Sequence, residues 1–398
     1  MGTDLERAKQ AACACVDRAR AALIDLSRRI HSHPELRFEE QQAAQWLSEY
    51  LTAIGFAVER GAYGVPTAFA ARLGSGAPHV AILCEYDALP GLGHACGHNI
   101  IAAAGAGAGA ALAPLLAATG GSLTILGTPA EEAGGGKIVM AHHGAFDGLD
   151  AAMMVHPAGA DLPAMHVLAV SFLQVAYRGR AAHAAAFPHR GINALDALVS
   201  AYNALAQLRQ HIRPTERIHG IITDGGQAAN IVPERAAGVF CVRAATARDL
   251  AVLKERVIAC FRAGALATGA ELELQPLGVD YAEMRPNPPL VDAYARNMER
   301  LGRAVRDPRD VPAAVAGSTD MGNVSQLVPA IHPMIAAAPP HVPLHSSDFA
   351  AYSGSESGEC AVIDGAKALA MTALDVLCRP ELRAAVHAAF RAAGSPGT

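Results

Sequence analysis

A fifteen-residue segment, 85–99, concentrates side chains that can bind metals or transfer protons. It directly follows the apolar run 79–84, which has the length and β-branched content of a buried strand. Glycine and proline residues in the segment let the backbone turn sharply, so that the side chains can converge. Open α/β sheets usually hold their active sites at such strand ends. The reactive side chains of the segment are Glu85, Asp87, His94, Cys96 and His98.

Cys96 and His98 are two residues apart, so both can face one metal ion, as thiolate and neutral imidazole. Taken alone, a buried thiol beside a loop histidine is the commoner explanation of such a pair. Further potential ligands lie in separate clusters along the chain, and together they indicate a metal site. These clusters contain Glu131-Glu132, His156 and His345.

The adjacent glutamates Glu131 and Glu132 follow the apolar run 122–127. Neighbouring side chains on an extended backbone point to opposite sides. One carboxylate can therefore bind a metal while the other faces a bound water as a general base. The base would take a proton from that water and later return it to a leaving amine.

The order of apolar and amphipathic segments predicts an α/β fold with a mostly parallel sheet and helices on both of its faces. Helices are predicted over 4–30 and 39–54, and strands near 67–72, 80–84, 122–127 and 151–155.

The pattern changes after His166. The following segments read as strand, helix, two strands, helix and strand, which is the split β-α-β pattern of a small two-layer α+β domain. The second helix of this pattern is predicted over 247–268. We therefore predict a catalytic domain in two parts, 1–167 and 282–398, with a second domain inserted at 168–281.

Composition and charge narrow the functional classes. Charged residues make up 17% of the 398 residues and hydrophobic residues 52%, which is typical of a globular protein with a large core. The net charge of −5 and the lack of a basic cluster argue against nucleic-acid and membrane-surface partners. The first residues lack a secretory signal pattern and the eight cysteines show no paired framework, so we expect a reduced, cytoplasmic location.

One uncharged stretch, 100–118, is nearly long enough to cross a bilayer. It consists mainly of alanine and glycine and contains Pro114, so it carries little transfer energy. We expect a tightly packed buried helix there. Its glycine run also misses the dinucleotide-binding fingerprint, because the third glycine is out of register.

Beyond these separate features, the chain resembles the di-metal aminoacylase and carboxypeptidase amidohydrolases, peptidase family M-twenty. The resemblance is to the branch with auxin-conjugate, hippurate and aminobenzoyl-glutamate hydrolases and β-alanyl-dipeptide-type peptidases. It covers nearly the whole chain. The matching stretches are Asp87–Pro90, His94–His98, Pro129–Glu132, Gly179–Ala184, Gly225–Pro233, Gly317–Asn323 and His345–Phe349.

The resemblance implies a role for each matching residue at the metal centre. Cys96 would be shared between two divalent ions, Glu131 would be the general base, and Asp87 would orient the site from behind the ligands. Zinc suits the soft thiolate best, and manganese or cobalt can occupy the same ligands. The remaining ligands implied are His98, Glu132, His156 and His345.

The resemblance also implies that the inserted domain is a lid through which two chains form a homodimer. His183 would polarise the scissile carbonyl, in its own or the partner's active site, because a tetrahedral oxyanion needs a donor. Asn230 and Arg243 match lid groups that hold the substrate's carboxylate. An ordinary solvated strand residue is the alternative for Arg243.

Two positions depart from the wider family pattern. Many members have a metal-binding histidine where this chain has Glu85, although the branch with the Cys-x-His pair normally lacks it as well. The branch often has aspartate where this chain has Asn99, so Asn99 is not included among the ligands.

These residues predict a metal-dependent hydrolase that cleaves the amide bond of a small N-acyl amino acid or dipeptide-like substrate. Two alternatives make different predictions. A metal-free cysteine hydrolase with Cys96 as nucleophile would be inactivated by thiol alkylation and indifferent to chelators. A non-catalytic binding protein on the same fold would show a damaged ligand set.

Overall fold

The computed structural model describes residues 2–307 and 317–394, and the chain divides into two compact units. The first unit contains the described residues up to His166 and those from Met284 onward. The second unit is Val167–Glu283. Each unit has a hydrophobic core of its own.

The first unit is built on a six-stranded sheet, with two further short strands beside it. The strands of this unit are β1 Ala57–Arg60, β2 Phe69–Gly74, β3 His79–Cys84, β4 Ser122–Gly127, β5 Ala151–Met153, β6 His156–Ala158, β11 Ala330–Ile331 and β12 Met334–Ala336. The order in the large sheet is β1-β2-β4-β3-β5-β11. Strands β3, β4, β5 and β11 run parallel, while β1 and β2 are antiparallel additions at one edge. Strand β3 is buried along almost its whole length, as its unbroken apolar sequence predicts, and the predicted α/β class is confirmed.

Helices of the first unit surround this sheet. They are α1 Gly2–Ser32, α2 Gln41–Ala53, α3 His98–Leu112, α4 Leu116–Thr119, α5 Gly136–His142, α8 Pro288–Arg300, α9 Met321–Leu327, α10 Ser347–Ser353, α11 Glu356–Cys378 and α12 Pro380–Ala392. Helix α3 packs against the sheet and between two other helices, α1 and α11.

The glycines of α3 make this close packing possible. A Cβ on Gly105 would lie 2.5 Å from the Cys84 sulfur, and one on Gly107 would lie 2.8 Å from Leu23 Cδ1. The uncharged stretch is therefore a buried helix. Within residues 2–307 and 317–394, no helix has the length and hydropathy needed to span a membrane.

The second unit is a four-stranded antiparallel sheet with two helices packed on it. Its elements are β7 Ala169–Arg178, α6 Ala194–Leu208, β8 Arg217–Asp224, β9 Arg235–Ala244, α7 Ala247–Thr268 and β10 Glu271–Pro276. The strand order is β10-β7-β9-β8. Strands β7 and β9 pair over ten residues, and alternate side chains of β9 enter the core. Strand β8 forms one edge of the sheet and exposes Ile221 and Ile222.

Several short elements have no counterpart in the sequence prediction. Helix α5 has only seven residues and follows the Gly134–Gly136 turn, so it offers too little periodicity to recognise. Strand β6 has three residues and contains a proline. Both elements border the candidate active site described next.

Candidate active site

His98 is the first residue of α3 and is completely buried. Its Nδ1 lies 3.0 Å from Asp87 Oδ1. Since an ionised carboxylate can only accept, Nδ1 carries the proton, and in the neutral imidazole Nε2 offers the lone pair. Burial alone would lower the pKa of His98, but the Asp87 carboxylate outweighs that effect and raises it. Asp87 therefore fixes the tautomer that presents Nε2 as a ligand atom.

Asp87 also holds the loop that carries the paired glutamates. Its Oδ2 accepts a hydrogen bond of 2.9 Å from the backbone N–H of Glu132. The same carboxylate thus fixes a ring of one potential ligand and the backbone of another. This geometry is what the predicted orienting role of Asp87 requires.

The carboxylate of Glu132 lies between two histidines. Its Oε1 is 3.8 Å from His98 Nε2, and its Oε2 is 3.5 Å from His345 Nε2. The neighbouring Glu131 is buried. Burial raises the pKa of Glu131 well above its ordinary value, and the nearby carboxylates of Glu85 and Glu132 raise it further.

His156 begins strand β6 and faces the Cys96 thiol, with 3.4 Å between Nε2 and Sγ. Its Nδ1 lies 2.8 Å from the carbonyl oxygen of Pro157, so Nδ1 carries the proton. Burial and the adjacent His98 lower the pKa of His156 to about 4. The imidazole is therefore neutral and offers Nε2 as a ligand atom.

His345 closes the more exposed side of the site, since its side chain is 53% exposed. Its backbone adopts a φ of +62°, which non-glycine residues rarely occupy, and its N–H donates to the carbonyl of Ala95 at 2.9 Å. The bond to Ala95 ties His345 to the segment that contains Cys96.

The potential ligand atoms form three overlapping groups, within each of which all atoms lie within 4.8 Å of one another. Cys96, His98 and Glu132 each belong to two of these groups, and Cys96 is the residue that the group with His156 shares with the group with His345. Among the described residues, neither His98 Nε2 nor Glu132 Oε1 has a hydrogen-bond partner, although both are buried. Orphaned buried acceptors beside a thiol and two imidazoles fit divalent metal ions. The groups are Cys96/His98/His156, Cys96/Glu132/His345 and His98/Glu131/Glu132.

Lys137 is a buried residue of the site that sequence reasoning missed. Its Nζ lies 2.5 Å from Glu85 Oε1 and 2.5 Å from Asp320 Oδ1. A fourth acidic group, formed by Glu85, Glu131 and Asp320, therefore has an internal ammonium beside it. Glu85, which occupies the position of a histidine in many family members, forms an ion pair with this lysine. Both partners of the lysine lie in stretches that the sequence singled out, Glu85 in segment 85–99 and Asp320 in Gly317–Asn323, whereas Lys137 itself left no signal.

Two further histidines, His94 and His332, are buried in the first unit. The ring of His332 lies 5.3 Å from that of His156, and neither histidine has a hydrogen-bond partner among the described residues. Burial lowers the pKa of His94 to about 3. His94 is in none of the four described ligand groups, although it lies in the segment from which the prediction started.

In the second unit, backbone pairing brings His183 and Asn230 close together. His183 forms a bridge with Ile231, and the N–H of Ala184 donates to the carbonyl of Asn230 at 3.0 Å. His183 Nδ1 accepts from the N–H of Ala186 at 3.2 Å, so its Nε2 carries the proton. Both side chains are exposed.

Arg243 does not join this pair within one chain. It lies near the far end of β9, eight residues beyond Arg235, where the strand begins. At the usual rise per strand residue the two positions are about 27 Å apart. Asn230 precedes the near end of β9, so one copy of this unit does not bring Asn230 and Arg243 to the same carboxylate.

Comparison with known proteins shows the family to which this chain belongs. The profile of "Peptidase family M20/M25/M40" matches residues 81–349. The Xaa-Arg dipeptidase of Mus musculus is 42% identical over 98% of this chain and 93% of its own length. A p-aminobenzoyl-glutamate hydrolase polypeptide of Escherichia coli (strain K12) is 36% identical over 65% of this chain and 58% of its own length.

Solved structures share the fold. An aminohydrolase structure from methicillin-resistant Staphylococcus aureus, titled as putative, superposes with a TM-score of 0.79 at 22% identity, over 93% of this chain and all of that one. A Bacillus subtilis protein titled a dinuclear metal binding peptidase gives a TM-score of 0.70 at 18% identity, over 91% of this chain and 99% of its own. The resemblance seen in the sequence motifs is confirmed: the chain belongs to peptidase family M20/M25/M40 and is a metal-dependent hydrolase of amide bonds.

Proposed function

We propose that two divalent ions, preferentially zinc, bind in the overlapping ligand groups and that Cys96 is shared between them. The observation that carries this proposal is that the groups Cys96/His98/His156 and Cys96/Glu132/His345 have Cys96 in common and no other residue. Thiolate, imidazole and carboxylate together suit zinc, while manganese and cobalt accept the same nitrogen and oxygen atoms. When bound, such ions polarise a carbonyl and lower the pKa of a water molecule.

Glu131 is the proposed general base. It takes a proton from the attacking water and delivers it to the leaving amine nitrogen, which turns the amide into a carboxylate and an amine. Its buried position in one group with His98 and Glu132 supports this role, because it places the carboxylate beside the proposed metal ligands.

His183 is the proposed electrophilic residue. Because Nδ1 of its ring accepts a backbone hydrogen bond, the Nε2–H can be donated to an oxyanion. Asn230, next to it in space, would hold the substrate's carboxylate. Arg243, at the other end of β9, could join them only from a second copy of this unit.

A homodimer through the second unit is proposed as well. Strand β8 is an edge strand with exposed isoleucines, and pairing with a second copy would satisfy its free edge. Sedimentation would test this, because a monomer at micromolar concentration would contradict it.

The proposed substrates are dipeptides with C-terminal arginine. The support is the 42% identity, over almost the full length, to a protein named Xaa-Arg dipeptidase. A panel of Xaa-Arg dipeptides, other dipeptides and N-acyl glutamates would measure the preference as kcat/KM. A preference for N-acyl glutamates would instead place the chain's activity with that of the aminobenzoyl-glutamate hydrolase.

The decisive experiment for the mechanism compares the two adjacent glutamates. In Glu131→Gln, kcat should fall by about 10²- to 10⁴-fold while metal content stays at that of the wild type. In the matched variant Glu132→Gln, metal content itself should fall. Wild-type turnover in Glu131→Gln, or a wild-type enzyme that is indifferent to chelators, would contradict the mechanism.

A further inference from the structure

The segment Glu35–Glu40, between helices α1 and α2, contacts both loops that carry the potential ligands. Near Asp87, the N–H of Ala88 donates to the carbonyl of Glu35 at 2.8 Å, and Leu36 forms a parallel bridge with Ala88. At its other end, the segment reaches the loop that contains Glu131. No role in the mechanism derived above involves this segment.

The contact with the Glu131 loop is made by a buried carboxylate. Glu40 Oε1 accepts two backbone hydrogen bonds, from Ala130 at 3.0 Å and from Phe38 at 2.9 Å. Glu40 has no exposed surface, and 90 residues separate it from Ala130 along the chain. The Glu40 side chain therefore joins two backbone segments that are far apart in the sequence.

Both residues that donate to Glu40 have unusual backbone angles. Ala130 has a φ of +60° and Phe38 a φ of +61°. Residues other than glycine rarely occupy the left-handed region, so other contacts must hold each residue there. Since Ala130 immediately precedes Glu131, its backbone angles set the direction in which the Glu131 side chain leaves the chain.

Side chains on either side of Glu40 contact the same loop. A Cβ on Gly134 would lie 2.5 Å from Phe38 Cε2, so the phenyl ring packs directly on this glycine. Arg37 Nη1 donates to the carbonyl of Ala133 at 2.9 Å. The segment therefore contacts the loop at several successive positions.

Two carboxylates thus fix the backbone on either side of Glu131. Glu40 accepts from the N–H of Ala130, one residue before it, and Asp87 accepts from the N–H of Glu132, one residue after it. The Asp87 contact belongs to the predicted site, whereas the Glu40 contact does not.

We propose that Glu40 is a positioning residue for Glu131: it holds Ala130 in the left-handed conformation that directs the Glu131 carboxylate to the attacking water. This inference rests on the proposed function of Glu131 as general base. Glu40 does not touch substrate or metal, so its loss should reduce the rate of the chemical step without changing metal binding.

Glu35 provides a matched control within the same segment. Its carboxylate also accepts from backbone N–H groups, those of Gln42 and Ala43, at 2.9–3.0 Å. These bonds stabilise the first turn of α2. The carboxyl groups of Glu35 and Glu40 therefore both accept backbone hydrogen bonds. Only Glu40 accepts one from Ala130, the residue before the proposed general base Glu131.

The experiment compares Glu40→Asp, Glu40→Gln and Glu35→Asp in the metal-loaded enzyme. Aspartate keeps the charge but withdraws the oxygen by one carbon–carbon bond, about 1.5 Å. We expect kcat of Glu40→Asp to fall by about 10- to 100-fold, with KM and metal content unchanged, because the base is misplaced. Glu40→Gln keeps an acceptor oxygen and should stay within about 3-fold of wild type, and Glu35→Asp should keep the wild-type kcat.

Hydrogen exchange resolved to single amides gives a second readout that does not depend on activity. The Ala130 amide should exchange faster in Glu40→Asp, while the Glu132 amide, bonded to Asp87, should keep its wild-type rate. A wild-type kcat in Glu40→Asp, or a loss of metal in proportion to activity, would overturn the proposal. An inactive wild-type enzyme would instead refute the proposed function. In that case the exchange rate of the Ala130 amide alone would test the role of Glu40. A rate in Glu40→Asp equal to that of the wild type would overturn it.

Discussion

The two units present their functional side chains in opposite ways. In the first unit, His98, His156, Cys96 and Glu131 are all less than 10% exposed, and each is held by contacts within that unit. In the second unit, His183 and Asn230 are exposed and are fixed mainly by backbone pairing. The potential metal ligands therefore all lie in the first unit, whereas the second unit presents exposed donors.

This difference in exposure predicts two different effects of substitutions. Substitutions in the buried cluster should alter metal content or folding, because each side chain there has several partners. Substitutions of the exposed residues should alter catalysis alone. The following predictions test that separation.

The largest effect is expected for Cys96→Ala. Removing the shared ligand should lower the occupancy of both ions and abolish turnover, as measured by metal analysis and kcat. Cys84→Ala is the matched control, because Cys84 is another buried thiol of the same unit that belongs to none of the described ligand groups. Full metal content in Cys96→Ala would contradict the shared-ligand assignment.

His183→Ala should lower kcat by about 10²- to 10³-fold, the usual cost of losing one oxyanion donor. Its metal content should match that of the wild type, since His183 lies in the other unit. His189→Ala, which removes another exposed histidine of that unit, should remain active. Equal activities of the two variants would remove His183 from the mechanism.

Breaking an ion pair should cost more free energy of unfolding in the buried site of the first unit than on the surface of the second unit. Lys137→Met leaves two buried carboxylates without their ammonium and should lower the free energy of unfolding by about 3–5 kcal/mol. Lys254→Met breaks the partly exposed pair with Asp280 and should cost less than about 1 kcal/mol. Denaturant unfolding measures both, and similar losses would contradict the contrast in burial.

A smaller effect concerns pH. Burial and the nearby Asp87 raise the pKa of Glu40 to about 7 from an ordinary value of 4.5. Because the folded-state value is the higher one, this contribution to stability is fully present below pH 4.5 and is lost as the pH rises through 7. Glu40→Gln should remove that slope, at most about 3 kcal/mol, and an unchanged slope in unfolding experiments would contradict the assignment.

Asp224 of the second unit, which is partly exposed, should change stability with pH in the opposite direction. Hydrogen bonds from the Gly226 N–H and from Arg235 lower the pKa of this carboxyl. Its contribution should be lost as the pH falls below the ordinary range of aspartate. Asp224→Asn should therefore flatten the acidic limb only.

Much of the site could be predicted because its residues follow apolar strands. Glu85 and Glu131 come soon after β3 and β4, which pair in parallel, so their loops leave the same edge of the sheet. The family motifs supplied the pairing of Cys96 with more distant ligands. Periodicity alone predicted the bounds of α7 to the residue, since twenty-two residues give a clear pattern.

The rest depends on contacts between distant parts of the chain. Lys137 meets Asp320 across 183 residues, and Glu40 meets Ala130 across 90. Neither pair leaves a local pattern, because each side chain lies in or beside a short element. Asn230 and Arg243 were grouped by family motifs, which carry no information on the distance between them: β9 places Arg243 near its far end from Asn230 within one chain.

Helix α3 has a consequence for engineering the enzyme. Its sequence of alanines and glycines looks uninformative and tolerant of change. Yet a single added methyl group at Gly105 or Gly107 would meet atoms within 3 Å, and His98 stands on the first turn of the same helix. Variant libraries intended to broaden substrate range should spare residues 98–109, because replacements at these glycines would displace His98, a proposed metal ligand, through the backbone.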